Sequence, residues 1–220
     1  MLISAVFLAG FGALGTGLVM GTFELTKEKI EASEKASLLK NLNNIIPKDS
    51  YDNDLLQDKL IVPPSSQLGN INNRITIYRA KKAQQPVAAA FDITAADGYS
   101  GNIKLLIAIK YSGEISGVRV ISHKETPGLG DKIEISKDDW ILSFNGKTFT
   151  NPDEDDWKVK KDGGIFDQFT GATITPRAVV KAVRRALDYY NNNQDKLFLD
   201  QQKYDQLYAR PGYSSGQSKH

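Results

Sequence analysis

The chain contains no cysteine. That absence excludes disulfides, thiol catalysis and cysteine-ligated iron–sulfur clusters within it. Histidine is nearly as scarce, with only His123 and His220. Two imidazoles are too few for a haem or zinc centre built from several histidines, so no metal site is expected. Nor is there an excess of charge of one sign: 28 Lys and Arg stand against 26 Asp and Glu, a formal net charge of +2. With no basic stripe interleaved with aromatics, nucleic acid is not an expected partner. The 220 residues suffice for one membrane anchor and one domain of ordinary size.

Long apolar runs are also few, and the main one lies at the start. Leu2 to Phe23 carries no charge, and at about 1.5 Å per residue it could cross a hydrocarbon core of roughly 30 Å. A cleaved signal peptide is the competing reading. It fits less well, because the run is long for such a segment, no basic residues precede it and no clean Ala-x-Ala site follows. Within the run, Ala5, Ala9, Ala13, Gly17 and Gly21 recur at every fourth position. Small residues in that register let two helices approach closely in lipid. Orientation is left open by charge. Lys27, Lys29, Lys35 and Lys40 follow the run, and the positive-inside tendency would place the following domain in the cytoplasm, although long domains translocate largely regardless of charge.

Beyond the run, Glu24 to Ile46 shows apolar residues at helical spacing and should stop near Pro47. Asn70–Ala80, Gln85–Thr94, Lys104–Lys110 and 115–121 read as strands, the last two joined as a hairpin through Tyr111–Glu114. Ile133 to Phe144 reads as helical, with Trp140 and Phe144 facing inward. Asp153 to Asp156 reads as a solvated loop. The fold class expected is α+β: an N-terminal transmembrane helix, then a twisted, mainly antiparallel sheet flanked by helices. The expected division is 1–23 as anchor, 24–47 as a membrane-proximal helix, 48–209 as the folded domain and 210–220 as a loose tail rich in Gly and Ser.

Two blocks carry the chemistry. The first is Asp167-Gln168-Phe169-Thr170-Gly171-Ala172-Thr173. Thr175 and Pro176 follow as a helix-start signal, Thr as N-cap and Pro at the first helical position. The residues from Arg177 to Tyr190 then keep helical spacing. Thr173 should therefore lie just before a helix N-terminus, where free N–H groups and the dipole favour a phosphate. Arg177 adds a nearby cation. Read alone, the block is equally a capping loop rich in hydroxyls. The second block is the turn-rich run from His123 through Glu125, Thr126, Pro127, Gly128, Leu129, Gly130 and Asp131 to Lys132, which leaves a strand and can bring main chain close to a planar ligand. Read alone, it is equally a plain connection.

Taken together with Glu24–Ile30 and the Gly98-Tyr99-Ser100-Gly101 turn, these blocks resemble the FMN-binding domain of membrane electron-transport complexes. The likeness is greatest to the G subunit of the Rnf complex, the ion-translocating ferredoxin:NAD oxidoreductase, and it covers essentially the whole chain. The resemblance implies FMN joined covalently, through its phosphate, to the Thr173 hydroxyl. It implies that Thr170, Gly171, Ala172 and Thr175 line the flavin with Glu125, Thr126, Pro127, Gly128 and Leu129, and that Asp167 is read by the flavin transferase or orients the loop. Glu125 and Lys132 are candidates for shaping the flavin environment. Threonine stands at 170 where serine is the commoner residue, and either hydroxyl can bond a phosphate. No residue is expected to act as catalytic acid or base. The implied role is an electron relay in a redox-driven translocase. The implied partners are the other membrane and peripheral subunits, the flavin transferase and membrane lipid. The implied location is the inner membrane, single-pass, with the domain on the periplasmic side. Alternatives are the C subunit of the Na⁺-translocating NADH:quinone reductase, which has the same kind of site, and a membrane-anchored scaffold without cofactor.

If the small-residue stripe packs on a neighbouring protein of the complex, Gly17→Leu should release the chain from that complex while leaving any flavin attachment intact. Co-purification of the complex, compared between native and variant chains, checks this; undiminished recovery would count against the packing.

Overall fold

The computed structural model describes residues 2–208, without the side chains of residues 2, 4–6 and 9. The tail at 210–220 and the side chains of Ala5 and Ala9 thus lie outside the described residues. The molecule divides into two compact units, Met1–Lys40 and Asn41–His220.

A single helix, α1, spans Leu2–Ile45. It ends before Pro47, as expected where a proline cannot continue the ladder. Ala13, Gly17 and Gly21 are exposed on it, with no neighbouring atom within 4 Å of the position of a Cβ at Gly17 or Gly21. Among the described residues, no helix is long and apolar enough to cross a membrane.

The second unit is built on a five-stranded antiparallel meander in the order β1-β2-β3-β4-β5. The strands are β1 (Lys59–Val62), β2 (Ile75–Lys82), β3 (Gln85–Ala95), β4 (Ile103–Lys110) and β5 (Ile115–Ser122). Two helices follow, α2 (Ile174–Leu197) and α3 (Gln201–Tyr208). The α+β class and the antiparallel sheet agree with the expectation from pattern. Strand β2 begins at Ile75 rather than Asn70, because Asn70 instead forms an isolated bridge with Ser65 that closes its own turn. The segment expected to be helical over 133–144 is two short 3-10 turns, Asp131–Ile133 and Asp139–Phe144. Asp138 caps the second by accepting from the Trp140 amide, a local bond that competes with a continuous helix. Trp140 and Phe144 do face inward.

The two faces of the sheet differ. One row crosses all five strands as Leu60, Ile77, Phe91, Ile107 and Val118, opposite one another in register and buried. Helix α2 covers this face with Val179, Val183, Ala186, Leu187 and Tyr190, all in the same core. The next row is Tyr78, Ala90, Ala108 and Gly117. Ala90, Ala108 and Gly117 leave room for main chain to approach, and the end of α1 comes in at Gly117 with Leu42, Ile45 and the following Ile46 buried.

A Cβ at Gly117 would stand 2.9 Å from the Ile45 Cγ2 atom and 3.2 Å from its Cα. Gly117→Val should therefore lower stability by about 1–3 kcal/mol through overpacking. Thermal unfolding of the two chains in parallel tests this, and an unchanged midpoint would show that the Ile45 contact yields freely.

Candidate cofactor site

Thr173 stands immediately before α2, in the N-cap position. Its backbone is already helical, with φ −78° and ψ −28°, and its side chain makes no capping hydrogen bond. The expected start at Thr175–Pro176 is thus two residues late. Thr175 lies within the first turn and does not cap. Its side chain is fully buried, and its Oγ1 donates to Glu125 Oε2. Pro176 is tolerated where it stands, since a first-turn amide has no intrahelical acceptor to lose.

The loop ahead of Thr173 is held from both sides. Phe169 is buried and meets the Trp140 ring edge-on at 5.2 Å between centroids. The same Trp140 donates Nε1–H to the Asp167 carbonyl at 2.7 Å. Phe169 and Ala172 pair as an antiparallel bridge, closed by the Ala172 amide donating to the Phe169 carbonyl at 3.1 Å. Gly171 takes φ +81° at the third position of this turn, as a type II turn requires. Thr170 and Gly171 are exposed and Ala172 and Thr173 half-buried, so Thr173 is not closed off from solvent. The Asp167 carboxylate lies at the surface, 2.5 Å from Lys160 Nζ.

The second block comes to the same place. Leu129 Cδ2 lies 3.4 Å from where a Cβ of Gly171 would be. The Thr126 carbonyl accepts from the Leu129 and Gly130 amides at 3.1 and 3.0 Å. Gly128 takes φ +77° and donates its amide to the buried Asp131 at 2.7 Å. Thr126, Pro127, Gly128 and Leu129 are exposed. At the start of the loop, His123 Nε2 and Glu134 Oε1 are 2.6 Å apart. The third block arrives through Ser100, whose amide donates to Glu125 Oε1 at 3.0 Å. Three separated stretches of chain thus converge around Thr173. These stretches expose apolar side chains, with Leu129 43% and Ile174 47% exposed.

Two candidates are placed differently from expectation. Glu125 is 5% exposed and lies beneath the loops rather than on their outer surface. Arg177 is committed elsewhere: its guanidinium makes a two-pronged pair with Asp162, both contacts 2.5 Å. That pairing holds Asp162 below its usual carboxylate range, chiefly by hydrogen bonding. The contribution of Trp140 and Phe169 was missed in the sequence, although an aromatic inside an otherwise polar, glycine-containing loop is a signal that the loop is pinned. Among the described residues, no group of three or more His, Cys, Asp or Glu is placed to hold a metal ion.

Comparison with known proteins matches residues 98–188 to the FMN-binding domain family and residues 1–45 to the RnfG N-terminal region. The first match contains all three convergent blocks. The G subunit of the ion-translocating oxidoreductase complex of Vibrio cholerae serotype O1 (strain M66-2) is 48% identical over 194 residues, 88% of this chain and 92% of that protein. The protein of the same name from Vibrio atlanticus (strain LGP32) is 50% identical over the same shares. That from Shewanella amazonensis is 46% identical over 195 residues, 89% of this chain and 90% of its own.

The hydrogen bond with His123 is the main reason the Glu134 carboxyl lies below the usual carboxylate range. A lowered folded pKa contributes stability that is present above the unfolded value, near 4.3, and is lost as pH falls through the lowered one. Glu134 is 38% exposed, so screening keeps the contribution to no more than about 1 kcal/mol. Glu134→Gln should flatten the fall in unfolding midpoint between about pH 6 and pH 3; identical acid limbs in the two chains would show the pair to be inert.

Proposed function

The chain belongs to the RnfG family, the G subunits of ion-translocating oxidoreductase complexes, and from that premise we propose that it is the electron-relay subunit of such a complex, with FMN carried on Thr173 as a phosphoester. Bound FMN supplies one-electron transfer, and the protein supplies position and surroundings. The observation that carries the attachment point is Thr173 at the front of α2, uncapped and not closed off from solvent. The residues present fit a phosphate-linked group. A 24-residue helix points its N-terminus at the hydroxyl, and the amides of Ile174 and Thr175 begin that helix without intrahelical acceptors. Gly171 keeps the approach free of a side chain.

Attachment is a phosphoryl transfer. The Thr173 oxygen forms a bond to the FMN phosphorus of a flavin dinucleotide, the bond from that phosphorus to the bridging oxygen breaks, and the leaving nucleotide phosphate takes the threonine proton. Nothing is oxidised or reduced. A separate flavin transferase performs the step, which needs Asp167 exposed, as it is. With FMN in place, Leu129 with Thr126–Gly128 and Thr170–Ala172 would hold the flavin. Most of these residues are exposed, which suits a carrier that must come close to its donor and acceptor.

The complex provides the remaining partners. Residues 1–23 serve as a single-pass anchor in the inner membrane, supported by the uncharged run Leu2–Phe23, and residues 24–47 follow as a membrane-proximal segment, helical as far as Ile45. Residues 48–209 form the FMN-binding domain on the periplasmic side. The cofactor-free scaffold reading is disfavoured by the match to an FMN-binding domain, and the quinone-reductase reading by the shared name of the relatives.

Intact mass and in-gel flavin fluorescence on denatured chain, from hosts with and without the transferase, test the attachment. The native chain should gain the mass of FMN less one water only when transferase is present. Thr173→Ala should remain folded, unmodified and colourless, and should abolish electron flow through the complex. A fluorescent Thr173→Ala chain would move the attachment elsewhere.

A further inference from the structure

Glu125 is a buried carboxylate, and among the described residues it makes no ion pair. Burying such a group is costly unless the protein supplies its hydrogen bonds. Here both oxygens are used. Oε2 accepts the Thr175 hydroxyl, and Oε1 accepts the Ser100 amide at 3.0 Å. Its own amide donates to His123 Nδ1 at 3.0 Å, which fixes the direction from which the side chain enters.

The chain is shaped around this carboxylate. A Cβ at Gly130 would stand 2.9 Å from Glu125 Oε2 and 3.0 Å from Thr175 Oγ1. One at Gly98 would stand 3.0 Å from Glu125 Oε1 and 2.2 Å from the Gly101 carbonyl oxygen. Both glycines therefore give passage to a side chain that joins the 98–101 turn, the 123–130 loop and the first turn of α2. Thr175 lies two residues beyond Thr173 on that same turn.

We propose that Glu125 is a positioning residue for flavin attachment, acting through Thr175. By holding the Thr175 hydroxyl it sets the place of the first turn of α2, and so aims the Thr173 oxygen and the leading amides at the incoming phosphate. It does this from beneath the loops and does not touch the flavin. Hydrogen bonding carries the effect and negative charge does not. A glutamine could accept from Ser100 with its oxygen and donate to Thr175 with its amide, keeping both links. The inference rests on Thr173 being the acceptor.

The test measures the initial rate of flavin incorporation into full-length chain in detergent, with purified transferase and FAD, by in-gel fluorescence and intact mass. Native chain, Glu125→Gln, Glu125→Ala, Thr175→Ser, Thr175→Val and Thr173→Ala are compared, each with its thermal unfolding midpoint. Leaving a buried hydrogen-bonding group without its partner corresponds to a rate reduction of roughly tenfold. Glu125→Ala and Thr175→Val should show that reduction, while Glu125→Gln and Thr175→Ser stay near the native rate. If Glu125→Ala does not fold, Thr175→Val decides, since it removes only the donor at nearly constant shape. Native rates in Thr175→Val overturn the proposal. So does a Glu125→Gln chain that folds yet is as slow as Glu125→Ala, because charge would then be the active property. A native chain that takes up no flavin, or a Thr173→Ala chain that does, refutes the acceptor assignment itself, and the inference falls with it.

Discussion

The packing of α2 on the sheet is the constraint on which the rest of the folded unit depends. The helix presents valine, alanine and leucine to β3 and β4, and its two adjacent tyrosines close over Phe91. Both tyrosine rings meet the Phe91 ring edge-on at 6.1 Å, an arrangement favoured by the aromatic quadrupole. The Tyr190 hydroxyl is satisfied by the Lys110 carbonyl at 3.1 Å, and burial pushes both phenol pKa values well up. A helix held so firmly along its length has little freedom at its first turn. Thr173 inherits that rigidity from residues far from it in sequence.

The site itself is a set of loops tied down at points a few residues apart. The aromatic group of Trp140, Phe144, Trp157 and Phe166 forms the floor, with Phe144 and Phe166 rings stacked at 4.7 Å. Phe169 joins it and fastens the 167–173 loop, while Glu125 fastens the neighbouring one. Between these anchors the backbone stays at the surface and carries small or flexible side chains. A site of this kind is rigid and open together, which suits the proposed covalent loading by another enzyme and the approach of redox partners. Tight enclosure would hinder both.

On the opposite face of the sheet the row of alanines and Gly117 receives the last turn of α1. Small residues there do the work that bulk does on the core face, because what arrives is helix backbone and the side chain of Ile45. The two faces thus show one rule with opposite outcomes: side-chain volume is matched to what covers it.

Much of the fold was legible in the sequence because it depends on local periodicity. The strand-like stretch Gln85–Thr94 and the apolar run Lys104–Lys110 are properties of consecutive residues, and each became a strand within a residue of the expected ends. The run from Asp167 to Thr173 stood out for the same reason, its residues being contiguous. What could not be read locally was decided by partners distant in the chain. Thr175 has the composition of an N-cap, yet Glu125, fifty positions away, offers its hydroxyl a buried acceptor, and the helix starts earlier at Ile174. Arg177 reads as a free cation until Asp162 claims it. The segment 133–144 carries helical spacing, but Asp138 and the pull of Trp140 and Phe144 into the aromatic floor break it into short turns. The sequence by itself determined the order of elements, the alternation of faces and the chemistry available at Thr173. Only the tertiary structure decided which of those groups meet, because a hydrogen bond or ring contact depends on distance in space, and the chain reaches those distances only after the sheet has brought its loops together.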